Sequence, residues 1–346
     1  MKGQRSNHVL AAFALCLLTF DLRVDTSALS VEVLRSVSSL PPHIVGLFEE
    51  PLGFQQSPDG PYYVFDRRGH TVYTVDADKT FARKLVEIGQ EQGRVIQPRG
   101  FDTTAGGFFV IADAPRGAQR VQIFGPIGNR VGGFFLPARL AETITVGTLV
   151  LNGLASIQYS GNNLLISHPE SGALFTEYST AGFALRSIGR LRETGFEQDR
   201  DLHIALNAGL PLVDPTGGFF YVFLGGRPMF RKYAADGRLV YERHIEGPEL
   251  DDFLAALPTR WPTRRTEDGE VPFVQPTVRT AAVDGRGRLW VSLSLPYTYV
   301  YDAGGDKIRT VQFMAAGTVS PTSLFFTRDG RLLVTPGCYE FNPAAR

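Results

Sequence analysis

The chain of 346 residues is 43% hydrophobic and 20% charged, with 37 glycines and 22 prolines, a composition that excludes a disordered or fibrous protein. Its 35 basic and 35 acidic residues cancel, and no long run of one sign occurs, which argues against nucleic acid or an anionic membrane as a partner.

Residues 1–30 read as an export signal. Lys2 and Arg5 precede an apolar run at 9–20, and Ala28 and Ser30 stand at cleavage-site spacing. The run falls short of the roughly 20 residues that a helix needs to cross a bilayer, so the mature chain is expected to lack a transmembrane span and to be periplasmic or secreted. Leu15, where a small residue would have to stand, argues against lipidation of Cys16. The mature chain then keeps one cysteine, Cys338, and can form no internal disulfide.

A pattern repeats through the rest. Apolar triplets end at Val64, Val110, Ile166, Val222, Val291 and Val334, spaced by 46, 56, 56, 69 and 43 residues, and each follows a turn such as TAGG or DGRG. Four short strands surround each triplet; in the second unit they read GFDTTA, FFVIAD, RVQIFG and RVGGFFLP. The second strand is apolar on both faces, as in a strand buried between sheets, whereas the third alternates, as in YTYVYD at 297–302. One such sheet cannot cover both of its faces, but six arranged radially can. The pattern therefore predicts an all-β, six-bladed β-propeller over residues 31–346.

The ends of the chain bear on closure of that ring. The last unit stops one strand short, and residues 31–37, VEVLRSV, precede the first unit without a partner. They are expected to complete the last blade as its outermost strand, with Val31, Val33 and Val37 as apolar cover. Between the fourth and fifth units, residues 246–273 break the rhythm with a partly helical insertion. It reads either as a lid that presents Trp261 to a ligand or as a surface loop packed by its own side chains.

The run RGFDTTAGGFFVIADAPRGAQRVQIFGPIG resembles an NHL repeat, well in the first two units and more weakly in the others, over residues 45–346. In that family the strand-end acid, here Asp66 and Asp113, is mostly structural. A second resemblance concerns the entries to the first strands. Glu50, Asn152 and Asn207 stand fourteen, fourteen and fifteen residues before the end of their triplets and are expected to point toward one end of the central channel. The trio is similar to the calcium cradle of the gluconolactonase and paraoxonase families, which implies calcium as cofactor and lactone or ester hydrolysis. Thr277 stands where those families carry a further carboxylate.

Arg99 and Arg279 occupy entries on opposite blades. With Asn152 and Asn207 between them, they could receive an anionic ligand through paired hydrogen bonds, or each could tie blades together through a nearby acid. His43, His70, His168, His203 and His244 are dispersed without metal-ligand spacing. Tyr297, Tyr299 and Tyr301 share one strand face, suited to sugar stacking or to packing on the next blade. The leading reading is a monomeric, non-catalytic binding platform without a cofactor, for an anionic small ligand or a protein partner. The alternatives are the calcium-dependent hydrolase and a structural subunit of an envelope complex.

Overall fold

The computed structural model describes residues 30–344 apart from 59, 137–143, 147–148, 152–155 and 267–268. The expected export segment, through residue 29, and Asn152 therefore lie outside the described residues. Four antiparallel meanders of four strands each occupy residues 51–84, 100–135, 156–190 and 209–244, with their strands side by side in chain order. A nine-stranded sheet holds the rest of the repeating pattern. Its main path runs from Val278–Val283 through Lys307–Met314 to the amino-terminal strand Val31–Ser39, and then through Tyr339–Phe341 and Leu332–Thr335 to Ser323–Phe326.

The triplets become second strands that are buried at every position, as in Tyr62–Asp66, Phe109–Asp113, Phe219–Phe223 and Leu289–Leu293. The turns before them need glycine: Gly218 has φ +81°, and a Cβ there would collide with the carbonyl of Tyr233. Third strands depart from the expected alternation. Thr298–Tyr301 and Arg120–Phe124 are buried on both faces, because their polar side chains find partners inside the stack of sheets. Thr298 donates to Ser292, and Arg120 donates to Asp113 at 2.6 and 2.8 Å. The outermost strands of the meanders, such as Leu239–His244, are largely exposed.

The amino-terminal strand does pair at the last sheet segment, antiparallel to Tyr339–Phe341 through Ser36, Ser38 and Ser39. It thus adds an outer strand to that segment, as expected, and it also runs parallel to Lys307–Met314 through residues 31–35, so it joins the last two segments. Its inward face is the opposite of the expected one. Val31, Val33 and Val37 are 40, 46 and 61% exposed, whereas Leu34 is 5% exposed and packs with Phe313 and Phe341. Glu32, on the Leu34 face, fixes that register by receiving two hydrogen bonds from Arg309, at 2.8 and 2.9 Å.

Neighbouring sheets are tied at their inner strands by side chains that reach the next backbone. Gln55 accepts from the Thr103 amide at 2.9 Å, Asp102 from the Tyr159 amide at 2.7 Å and Gln158 from the Val213 amide at 2.8 Å. At the seam, Arg331 donates to Gln56 at 2.7 Å and Tyr62 donates to Glu340 at 3.0 Å, joining the last segment of the chain to the first meander.

Two stability measurements test these contacts. Leu34→Ala should cost about 2–5 kcal/mol in urea unfolding, while Val33→Ala should stay within about 0.5 kcal/mol of the parent; equal losses would place the wrong face inward. The second concerns Asp102, whose carboxyl is pushed up to about 6, burial outweighing the hydrogen bonds it accepts from Tyr159 and Gln55. Its folded value lies above the unfolded one, so its favourable contribution is complete below about pH 4 and is lost as pH rises through 6, roughly 3 kcal/mol in all. Asp102→Asn should remove that fall in stability between pH 4 and 7, and an unchanged pH profile would refute the assignment.

Candidate functional site

The inner strands enclose a channel of about 200 Å³ whose wall includes both Arg99 and Arg279, together with Gln55, Asp102 and Thr280. At the end where the chain enters these strands, the channel meets a larger chamber of about 670 Å³, and Leu52, Arg279 and Thr322 line both. The roof of the chamber is the 246–273 insertion, which contributes Phe253, Arg264 and Phe273.

The insertion folds into the helix Asp251–Ala255 and the hairpin Thr263–Thr266 and Gly269–Val274. That hairpin pairs in parallel with Ile144–Val146, a strand of a second hairpin inserted ahead of the third meander. The two hairpins form a four-stranded sheet across the entrance, with the helix Arg200–Asn207 packed beside it. The insertion thus contributes a wall of the chamber. Trp261, however, does not line the chamber.

The sequence-derived residues are distributed unevenly. Glu50 lines the chamber, and its carboxylate is gripped by Arg67 through Nε at 3.0 Å and Nη2 at 2.5 Å. The buried Asp66 holds that arrangement in place by accepting from the amides of Glu49, Glu50 and Gly69 at 2.8, 2.8 and 3.0 Å. Asp113 acts similarly, accepting from the Ile96 amide at 3.1 Å and from Arg120. Asn207 lies elsewhere. It ends the helix Arg200–Asn207, where its amide donates to the carbonyls of His203 and Arg192 at 2.9 and 3.2 Å and accepts from the Arg192 amide at 2.8 Å. The helix was not read in the sequence, although Asp199 is its cap, accepting from the Leu202 amide at 3.1 Å.

Thr277 is buried and donates to the Leu224 carbonyl at 3.2 Å. Tyr299 and Tyr301 are buried against the core, with the Tyr301 ring tilted against Phe230 at 4.8 Å, so neither presents a ring to a sugar. Among the described residues, no three of His, Cys, Asp and Glu converge. Among the described residues, the proposed donors are otherwise engaged: the Glu50 carboxylate is paired with Arg67, and the Asn207 amide is turned to backbone groups of its own helix and of Arg192.

No protein-family model and no curated protein sequence matches the chain. Similarity appears among solved structures. A streptogramin B lyase superposes with a TM-score of 0.52 at 10% identity, covering 84% of this chain and 92% of that one. A gluconolactonase of Xanthomonas campestris gives a TM-score of 0.51 at 16% identity, covering 85% of this chain and 86% of the other. Both are β-propellers, and they share with this chain its meanders around a central channel. The fold is a β-propeller.

The propeller's chamber has a distinctive electrostatic make-up. Among the described residues, Arg67, Arg264 and Arg279 face it against a single carboxylate, Glu50, an excess of two positive charges. Arg99 adds to this field from the channel; burial, and then repulsion by Arg67, push its guanidinium down to about 10, so it stays charged at neutral pH. Leu52, Leu224, Phe253, Phe273 and Val278 supply apolar walls. Arg67 and Arg264 were missed in the sequence because they belong to a strand end and a lid hairpin that only the fold brings together. With both Glu50 oxygens engaged, the chamber is equipped to orient and neutralise an anion. Millimolar calcium followed by EDTA should therefore shift the melting temperature by less than about 1 °C; a rise of several degrees that EDTA reverses would show a completed cation site.

Proposed function

We propose that this propeller is an exported, non-catalytic binding protein that holds a small organic anion in the chamber beneath its lid. The observation that carries this reading is the chamber itself, about 670 Å³ with three guanidiniums against one carboxylate and apolar walls. That volume lies within the roughly 300–1,000 Å³ of ordinary ligand sites. Arg279 is exposed, at the junction of chamber and channel, and can meet the anionic end of the ligand. Arg264 approaches from the lid, so a bound anion would bridge lid and ring and favour the closed arrangement.

Finer features belong to the same proposal. The channel is lined by inner strands drawn from the four meanders and from both arms of the nine-stranded sheet, which supports a ring of six units. Export rests on residues 1–30, and the strand that begins at Val31 suits a mature start there. The likeness to a lyase and a gluconolactonase extends to the fold, and no reaction is carried over from them.

The test is a thermal-shift and calorimetric screen of aliphatic and aromatic carboxylates, sulfonates and phosphates. At least one class should stabilise the protein saturably, by about 2.7 kcal/mol at a hundredfold excess over Kd. Arg279→Gln should weaken that binding at least tenfold without lowering the melting temperature of the free protein. Stabilisation by cations alone, or binding that is indifferent to Arg279→Gln, would overturn the proposal.

A further inference from the structure

The lid helix Asp251–Ala255 separates two cavities. Phe253 lines the chamber, while the next residues, Leu254 and Ala255, line a second cavity of about 890 Å³ on the other side. The walls of this outer cavity come from four parts of the chain. Phe196 precedes the helix Arg200–Asn207, Leu206 belongs to that helix, Met229 begins a strand of the fourth meander, and Leu257 and Trp261 belong to the lid. Phe196, Leu254 and Trp261 are half-buried, packed on the main core yet still lining the cavity.

One flank of the cavity is cationic. Arg192 donates to the carbonyls of Arg227, Leu206 and Gly225 at 2.9, 2.7 and 2.6 Å and lies 4.3 Å over the Phe223 ring. Each of these partners is neutral. Burial first, and the neighbouring Arg231 after it, push the Arg192 guanidinium down to about 10, against the opposing pull of Glu242. The nearby Arg231 is balanced by Glu242 at 2.5 Å. Arg227 and His244 complete the basic side, and Glu193 is the one further acid of the lining. The cavity thus joins an apolar body to a basic flank, complementary to a molecule of the opposite charge with an apolar chain.

We propose that this outer cavity is a second small-molecule site, for a monocarboxylate with an apolar body that packs on Phe196, Met229 and Trp261 while its carboxylate faces Arg192 and Arg227. Because the same lid helix walls both cavities, an occupant here also braces the roof of the chamber. The site does not depend on what the chamber binds: the chamber's arginines, Arg67, Arg264 and Arg279, take no part in it.

The protein carries its own reporter. Of its two tryptophans, Trp290 is fully buried and donates to Asp284, so a ligand in the outer cavity is read through Trp261. Titration of the mature protein with decanoate below its micelle concentration should give a saturable change in Trp261 emission with a stoichiometry of one. Leu257→Glu in the wall should weaken binding at least tenfold, and Pro258→Glu on the exposed rim should do so without risk to folding. Arg279→Gln should leave the titration unchanged, while Trp261→Phe should abolish the signal but keep the calorimetric binding. A change that does not saturate, or one that survives Pro258→Glu and disappears with Arg279→Gln, would overturn the proposal; the latter result would assign decanoate to the chamber.

Discussion

Among the described residues, the inner strands of neighbouring sheets exchange no ladder hydrogen bonds, so the ring depends on side chains that cross from one sheet to the next backbone. Gln55, Asp102 and Gln158 perform this at matching places on consecutive inner strands. Each satisfies a backbone amide of the next sheet that no neighbouring strand pairs with. Aromatic packing adds to the ties, as where Phe65 of the first meander stacks at 5.3 Å on Phe101 of the second. A channel built in this way is narrow and of mixed polarity, and it delivers Arg99 and Arg279 to fixed positions on its wall.

The buried acids at the ends of second strands carry the same logic out to the chamber. Asp66 gathers the amides of Glu49, Glu50 and Gly69 and so fixes the segment that places Glu50 against Arg67. Asp284, in the turn ahead of a second strand of the nine-stranded sheet, is another buried acid of this kind, accepting from Trp290 at 3.1 Å and from Arg288 at 2.7 Å. These carboxylates are ionic and hydrogen-bonded anchors of the kind that tolerates burial because every oxygen is engaged. They orient the binding surface without entering it.

The lid is the element with the least local support. Its two hairpins, from widely separated parts of the chain, meet through two register pairs, Thr145 with Phe273 and Val146 with Val274. The ring end of the hairpin is firmer: Val274 is fully buried, and Gly225 is close enough that a Cβ there would meet it at 2.6 Å.

The sequence by itself determined the strand grammar, the glycine turns and the break in the repeat at 246–273, because these follow from local periodicity and backbone sterics. It also placed a strand at 31–37, but not its face. In a strand, a one-residue choice decides whether Leu34 or Val33 turns inward, and the neighbouring strands and the Arg309 pair with Glu32 make that choice. Tertiary structure decided the site as well. Counting from the triplets put Asn207 at a strand entry, whereas the cap at Asp199 makes it the last residue of a helix. Arg67 and Arg264, nearly two hundred residues apart, meet only because the lid folds back over the ring. Local sequence specifies which backbone shapes are affordable at each position; which side chains share a cavity depends on ring closure and lid docking, and those are long-range packing outcomes.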